Sequence, residues 1–206
     1  MNHPVTFISV VNRGRDVSAL LVAACDVVLS GKYDVIGFAH DKKSSQNQEN
    51  GHHGTESQGF AYKLMENTLA SRDYVENILT LFSNEPRLGQ VAPPPPFHAL
   101  YFAHTLPHDW GANFEITKEL LEDRFDIHVP LSPGKPSASA IGSCYWFRVD
   151  ALKPLFEYGW KYEDSCRKDR WGRWYRVPRH RTRQRLHLPV AGVLSRMGHV
   201  GSIRTY

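Results

Sequence analysis

The sequence predicts an α/β fold, a mostly parallel sheet flanked by helices, and three observations carry that prediction. Residues 5–11 (VTFISVV) form a continuous apolar, β-branched run of the kind buried on both faces of a parallel strand. The next segment repeats Val17, Leu20, Leu21, Ala24, Val27 and Val28 at three- and four-residue steps, from Asp16 as N-cap to Gly31 as stop, which describes an amphipathic helix. Residues 33–39 then read as a second strand, so 5–39 make a βαβ unit, whose crossover is right-handed.

The remaining elements follow in order. Residues 45–59 (SQNQENGHHGTESQG) have almost no apolar content and three glycines, and read as a mobile loop. Helices are expected over 60–70 and 72–82, then a short strand over 88–92 that the prolines at 93–96 must terminate. Residues 113–124 are helical, with Ile116, Leu120 and Leu121 on one face; 137–150 are strand-like, and 151–158 form a short helix. Beyond Cys166 the periodicity disappears.

With 206 residues the chain has room for one sizeable core, and 41% hydrophobic and 22% charged residues argue against disorder. No apolar run approaches the roughly 18–20 residues of a membrane span, and the N-terminus lacks a signal-peptide pattern, so a cytoplasmic protein is expected, with the inner face of the membrane open to it. Cys25, Cys144 and Cys166 stand far apart without a CxxC pair, which excludes a disulfide framework or a structural zinc site and leaves free thiols. The net charge of +4 is uneven: residues 161–206 hold twelve Lys/Arg against three acids, leaving 13 against 18 in the rest. The expected division is therefore a domain over 1–165 and a basic tail over 166–206. That tail could bind nucleic acid or an anionic lipid surface, but no helix-turn-helix, zinc-finger or RNA-recognition pattern accompanies it, and nucleic acid is the minor reading.

In a sheet of this kind ligands gather at the carboxyl ends of strands, where helix N-termini turn their positive ends outward. Two such ends are unusually polar: Asn12, Arg13, Gly14, Arg15 and Asp16 after the first strand, and His40, Asp41, Lys42, Lys43 and Ser44 after the second. On adjacent strands they bring four cations together, the surrounding a diphosphate needs. Either motif alone is also compatible with an ordinary surface of ion pairs.

Those two motifs, with Tyr33 and Asp34, Leu88 and Gly89 with Val91 and Pro93, Trp110 with Gly111 and Asn113, and GSCYWFRVDALKPL over 142–155, resemble the rhamnan synthesis protein F family, across about residues 5–164. These are bacterial polysaccharide glycosyltransferases related to the family 2 group. The resemblance implies a GT-A-like, Rossmann-like sheet and transfer of a sugar such as rhamnose from a nucleotide diphosphate donor to a glycan or lipid-linked acceptor, in the synthesis of rhamnan, O-antigen or lipopolysaccharide. It further implies that a nucleobase-binding part preceding residue 5 is absent, so that the chain is a shortened member.

In such enzymes an Asp-x-Asp motif after a central strand holds a divalent metal. Here Asp41 is the only carboxylate at that place, followed by two lysines, a poor magnesium site. Mg or Mn held through Asp41 is one expectation; the other is that Lys42 and Lys43 neutralise the leaving diphosphate without metal. The relatives place their base in a Glu-Asp pair downstream of a glycine-containing strand and a short helix, which makes Asp164 the candidate base and Glu163 the second. Trp110 and Trp146 are the candidate sugar platforms, against the commoner fate of tryptophan in a core. A non-catalytic sugar-nucleotide-binding module remains the alternative to an enzyme.

Overall fold

The computed structural model describes residues 4–11, 13, 16–40, 61–94, 114–115, 117–134, 140 and 142–164, together with the backbone of 15, 54–60, 116, 141, 167–168, 174–175 and 204–205. Asn12, Gly14, Asp41, Lys42, Lys43, Ser44, Trp110 and Cys166 lie outside the described residues. In chain order the described elements are α1 (Arg15–Ser18), a π-helical turn (Ala19–Ala23), α2 (Cys25–Val28), β1 (Val35–Phe38), α3 (Gly54–Leu69), α4 (Arg72–Asn84), β2 (Gln90–Ala92), α5 (Phe114–Glu119), a second π-helical turn (Leu120–Arg124), a 3-10 turn (Ile141–Ser143), β3 (Tyr145–Arg148), α6 (Val149–Glu157), a further 3-10 turn (Tyr162–Asp164), and the two-residue strands β4 (Arg167–Lys168), β5 (Trp174–Tyr175) and β6 (Arg204–Thr205).

The main sheet has the order β1-β3-β2-β6. β3 runs antiparallel to β1, with Val35 opposite Arg148 and Phe38 opposite Tyr145, and antiparallel to β2, while β6 is parallel to β2. β1 and β2 therefore point the same way, with an antiparallel strand between them. β4 and β5 pair separately.

Alternation along β3 divides the molecule into layers. Tyr145 and Phe147 face one side, where they join Leu20, Leu21, Leu120, Leu121, Leu152, Leu155 and Phe156 in the larger core cluster, with Ile36 and Phe38 of β1 packed against it. Trp146 lies on the other side, with Val35 of β1, against a cluster of Ile78 and Phe82 from α4, Leu88 from the turn after it and Val91 of β2. Helices cover both faces of the sheet, which is of the α/β class that the sequence predicts, while a mostly parallel GT-A sheet is not evident among the described strands. Each fully buried Leu or Phe contributes about 1.5–3 kcal/mol, so the larger cluster carries most of the stability.

Local chemistry explains the boundaries. Ser71 caps α4, its hydroxyl accepting the Tyr74 N–H at 3.1 Å. At the other end of α4 the Arg148 guanidinium takes over the carbonyls the helix leaves open, donating to Phe82 O at 2.6 Å, Glu85 O at 3.4 Å and, through Nε, Leu88 O at 3.2 Å. The left-handed Gly31 (φ 70°) follows α2 where the sequence places a helix stop.

Several expectations are corrected. Residues 5–11 form no strand: Val5, Phe7, Ile8, Val10 and Val11 are 45–94% exposed. The βαβ unit over 5–39 is therefore not closed, and among the described residues the partner of β1 is β3, antiparallel. An apolar β-branched run reports what a segment prefers, whereas a strand also needs a neighbour to take its N–H and C=O groups. Asp16 is not an N-cap but sits in the first turn of α1. Residues 54–59, read as loop, open α3; Glu56 and Gln58 are good helix formers. The tail, in which no periodicity is visible, contributes β4, β5 and β6.

Candidate functional site

The sheet has one edge at which the carboxyl ends of β1 and β2 and the amino end of β3 meet, as the register requires. His40 stands two residues past β1 at this edge, and the 3-10 turn before β3 faces it across the strand pair. Gly142 (φ 80°) and Ser143 (φ 56°) are both left-handed there. Glycine accepts that geometry freely, whereas at Ser143 it is strained, a feature found where a backbone is held for a purpose.

The His40 imidazole joins the two loops. Its Nε2 lies 2.8 Å from Gly142 O and 3.6 Å from Asp16 Oδ2, with both side chains about four-fifths buried. A carbonyl only accepts, so Nε2 carries the proton and donates to Gly142 O. The Phe38 ring stands between His40 (6.2 Å between centroids) and the edge of Tyr145 (5.7 Å). Asp16 comes to this point from the first turn of α1. The entry to that helix is pinned, since the Ser18 hydroxyl donates to Arg13 O and the Arg13 N–H to Val11 O at 2.7 Å.

Arg13 extends the cluster to a third segment by donating through Nη2 to the Glu163 carbonyl at 3.3 Å. That carbonyl belongs to a closed turn: Lys161 N–H donates to Asp164 Oδ2 and Asp164 N–H to Lys161 O, both at 2.9 Å. Asp164 is half-buried and its carboxylate oriented by this bond, while Glu163 is exposed. Arg13, Asp16, His40, Glu163 and Asp164, five of the residues singled out from sequence, thus come from three distant stretches to one edge.

Others do not join them or are not described. Trp146 lies on the far face of β3, its Nε1 donating to Thr68 O of α3 at 2.9 Å and its ring covering Gly37. That packing places it in the second core cluster, away from the His40 edge. Arg15 lies in α1, and Asn12, Gly14, Asp41, Lys42, Lys43, Ser44 and Trp110 lie outside the described residues. A cleft of about 370 Å³ at the opposite end of β1, lined by Tyr33, Asp34, Arg148 and Asp150, is separate from this edge. Its guanidinium is already engaged by carbonyls, so two carboxylates and a phenol set its chemistry.

Sequence reasoning missed Tyr145. It is 1% exposed, and burial, then the Asp16 carboxylate and Cys144, hold its phenol far above the ordinary range. Neither Tyr145 OH nor Asp16 Oδ2 has a hydrogen-bond partner among the described residues. The available signal was a tyrosine two residues after the GS pair that precedes β3. Neither Cys25 nor Cys144 is in a disulfide; burial, with Asp26 adding, raises the Cys25 thiol.

The edge joins two loops at strand ends to an acidic turn that follows a short helix, in the order that the family resemblance requires. A model of the rhamnan synthesis protein F family matches residues 1–170. The chain belongs to that family. Comparison with curated proteins and with solved structures finds no match. Membership ties this rhamnan synthesis protein F chain to rhamnan and polysaccharide synthesis and suggests a glycosyltransferase-related role. Among the described residues no helix is long and apolar enough to cross a membrane, and no group of three or more His, Cys, Asp and Glu side chains is placed to hold a metal. The His40 nitrogen nearest Asp16 carries the proton shared with Gly142 O, so this pair does not fit a divalent ion.

Proposed function

We propose that this family member is a glycosyltransferase of GT-A type that transfers a sugar such as rhamnose from a nucleotide diphosphate donor to a glycan or lipid-linked acceptor at the inner face of the membrane. The observation that carries the reading is the convergence of Arg13, Asp16 and His40 with the Glu163–Asp164 turn at the carboxyl ends of β1 and β2. Donor-side and base-side residues, some 150 positions apart in sequence, share one guanidinium.

On this reading Arg13, Arg15, Lys42 and Lys43 neutralise the diphosphate, with Asn12, Gly14 and Ser44 shaping the loops around it. Asp41 is the candidate metal ligand should Mg or Mn be used, and no step is routed through one. Asp164 takes the acceptor hydroxyl proton as the oxygen attacks the anomeric carbon. The bond from that carbon to the diphosphate oxygen breaks, its electron pair leaves with the diphosphate, and the configuration inverts. Trp110 is the candidate acceptor platform.

The reading is tested with the purified chain and a nucleoside diphosphate rhamnose. Asp164→Asn should lose at least about 100-fold in turnover with donor affinity retained, while Lys42→Ala with Lys43→Ala should weaken donor binding at least about tenfold. Donor binding that ignores both lysines sinks the diphosphate assignment, and turnover that ignores Asp164 sinks the base.

A further inference from the structure

Resting on the nucleotide-sugar reading, we propose that Tyr145 and Asp16 form a subsite that reads a neutral sugar hydroxyl of the ligand, not its phosphates. Tyr145 is buried, and its ring is fixed on two sides, edge-on to Phe38 at 5.7 Å and tilted against Phe147 at 5.9 Å. A phenol held so firmly presents its oxygen in one direction, and that oxygen has no hydrogen-bond partner among the described residues. Asp16 Oδ2 is a second buried polar atom in the same state, 3.6 Å from His40 Nε2 and without a hydrogen bond. Buried polar groups are paired in folded proteins, so two orphans in one neighbourhood point to a ligand that completes them.

The chemistry of the two atoms selects the ligand group. Burial and the Asp16 charge keep the Tyr145 proton in place throughout the physiological range, so the phenol is a standing donor. Asp16 Oδ2 is a carboxylate oxygen and accepts. An alcohol can accept from the first kind of group and donate to the second, so a sugar hydroxyl suits both. A phosphate oxygen has no proton to give Asp16 and meets a like charge there, and an ammonium cannot accept from the phenol. The cations proposed for the diphosphate stand on Arg13 and Arg15 and after His40, which leaves this acid and phenol for the uncharged part of the donor. Burial lends selectivity, because a ligand lacking the hydroxyl returns both groups to their unpaired state.

Tyr145→Phe removes one oxygen and keeps the ring packing. At pH 7 the variant should melt at or above the wild-type temperature, because the hydroxyl has no partner among the described residues. By calorimetry its affinity for a nucleoside diphosphate rhamnose should fall about fivefold to tenfold, the loss of one hydrogen bond, while its affinity for the nucleoside diphosphate alone changes less than about twofold. Asp16→Asn should show the same split. A lower melting temperature for Tyr145→Phe overturns the proposal by placing the hydroxyl in an internal bond, and so do equal losses for both ligands or no loss for either. If the wild-type chain binds neither nucleotide ligand, the donor reading fails and the subsite is judged alone with methyl rhamnoside by saturation-transfer NMR. Contact signals lost in Tyr145→Phe then uphold it, and signals that are absent or unchanged overturn it.

Discussion

Arg148 shows how one side chain can hold two elements and a loop. Its guanidinium lies over the Phe82 ring at 5.5 Å and donates to three carbonyls at the end of α4 and in the turn that follows, while its backbone N–H donates to Gly89 O at 2.9 Å. Arg148→Ala should cost about 2–4 kcal/mol in urea denaturation, because partly buried carbonyls lose a charged donor. Arg148→Lys should recover less than half, since an ammonium cannot reproduce the fork. Opposite Trp146 the requirement is for no side chain at all. A Cβ at Gly37 would lie 2.8 Å from Trp146 Cζ2 and 2.9 Å from Cε2, and the indole is tied by its bond to Thr68 O. Gly37→Ala should therefore destabilise by about 1–3 kcal/mol, and combining it with Trp146→Leu should cost less than the sum of the two single changes. At this scale the sequence singled out Arg13, Asp16 and His40, which the structure brings together, because they are polar where an apolar run ends; Asp41, Lys42, Lys43 and Ser44 lie outside the described residues. Tyr145 was not legible: an aromatic residue in a strand looks the same whether its hydroxyl meets the core or a site.

At the scale of elements, periodicity located α4, α6, β1 and β2 to within a few residues, since each carries its own amphipathic pattern. Pairing was less legible. β3, read only as a strand-like stretch, proved to be the antiparallel centre of the sheet, because direction is decided by neighbours and not by pattern. Residues 5–11 carry the same lesson further, a strong strand pattern without a strand. Phe7 is 94% exposed, so Phe7→Ser should change stability by no more than about 0.5 kcal/mol in denaturant titration. Removing its ring should also reduce self-association at high concentration, measured by sedimentation velocity, because an apolar run with open backbone groups is an adhesive edge. A cost above about 2 kcal/mol would instead mean that the segment is packed as a strand in solution.

For the molecule as a whole, the balance of buried groups sets its response to alkali. Burial raises the Tyr74 and Cys25 groups above their ordinary values of 10.0 and 9.0, and raises Tyr145 far more, with Asp16 adding to it. In each case the folded state holds a proton that the unfolded chain releases first. Their stabilisation is complete below the unfolded values and is lost as pH climbs from about 9 through the raised folded values. Tyr145 dominates, because it alone is fully buried, and above pH 10 its single retained proton gives a slope of about −1.4 kcal/mol per pH unit. Urea denaturation from pH 8 to 11.5 should show stability level at first and falling beyond pH 10. Tyr145→Phe, which has no proton to lose, should flatten the steepest part of that fall. An unchanged alkaline slope in Tyr145→Phe would mean that the phenol ionises in the folded state as it does in water. Its hydroxyl would then be solvated, and both the burial of Tyr145 and the hydroxyl-reading role built on it would fail together.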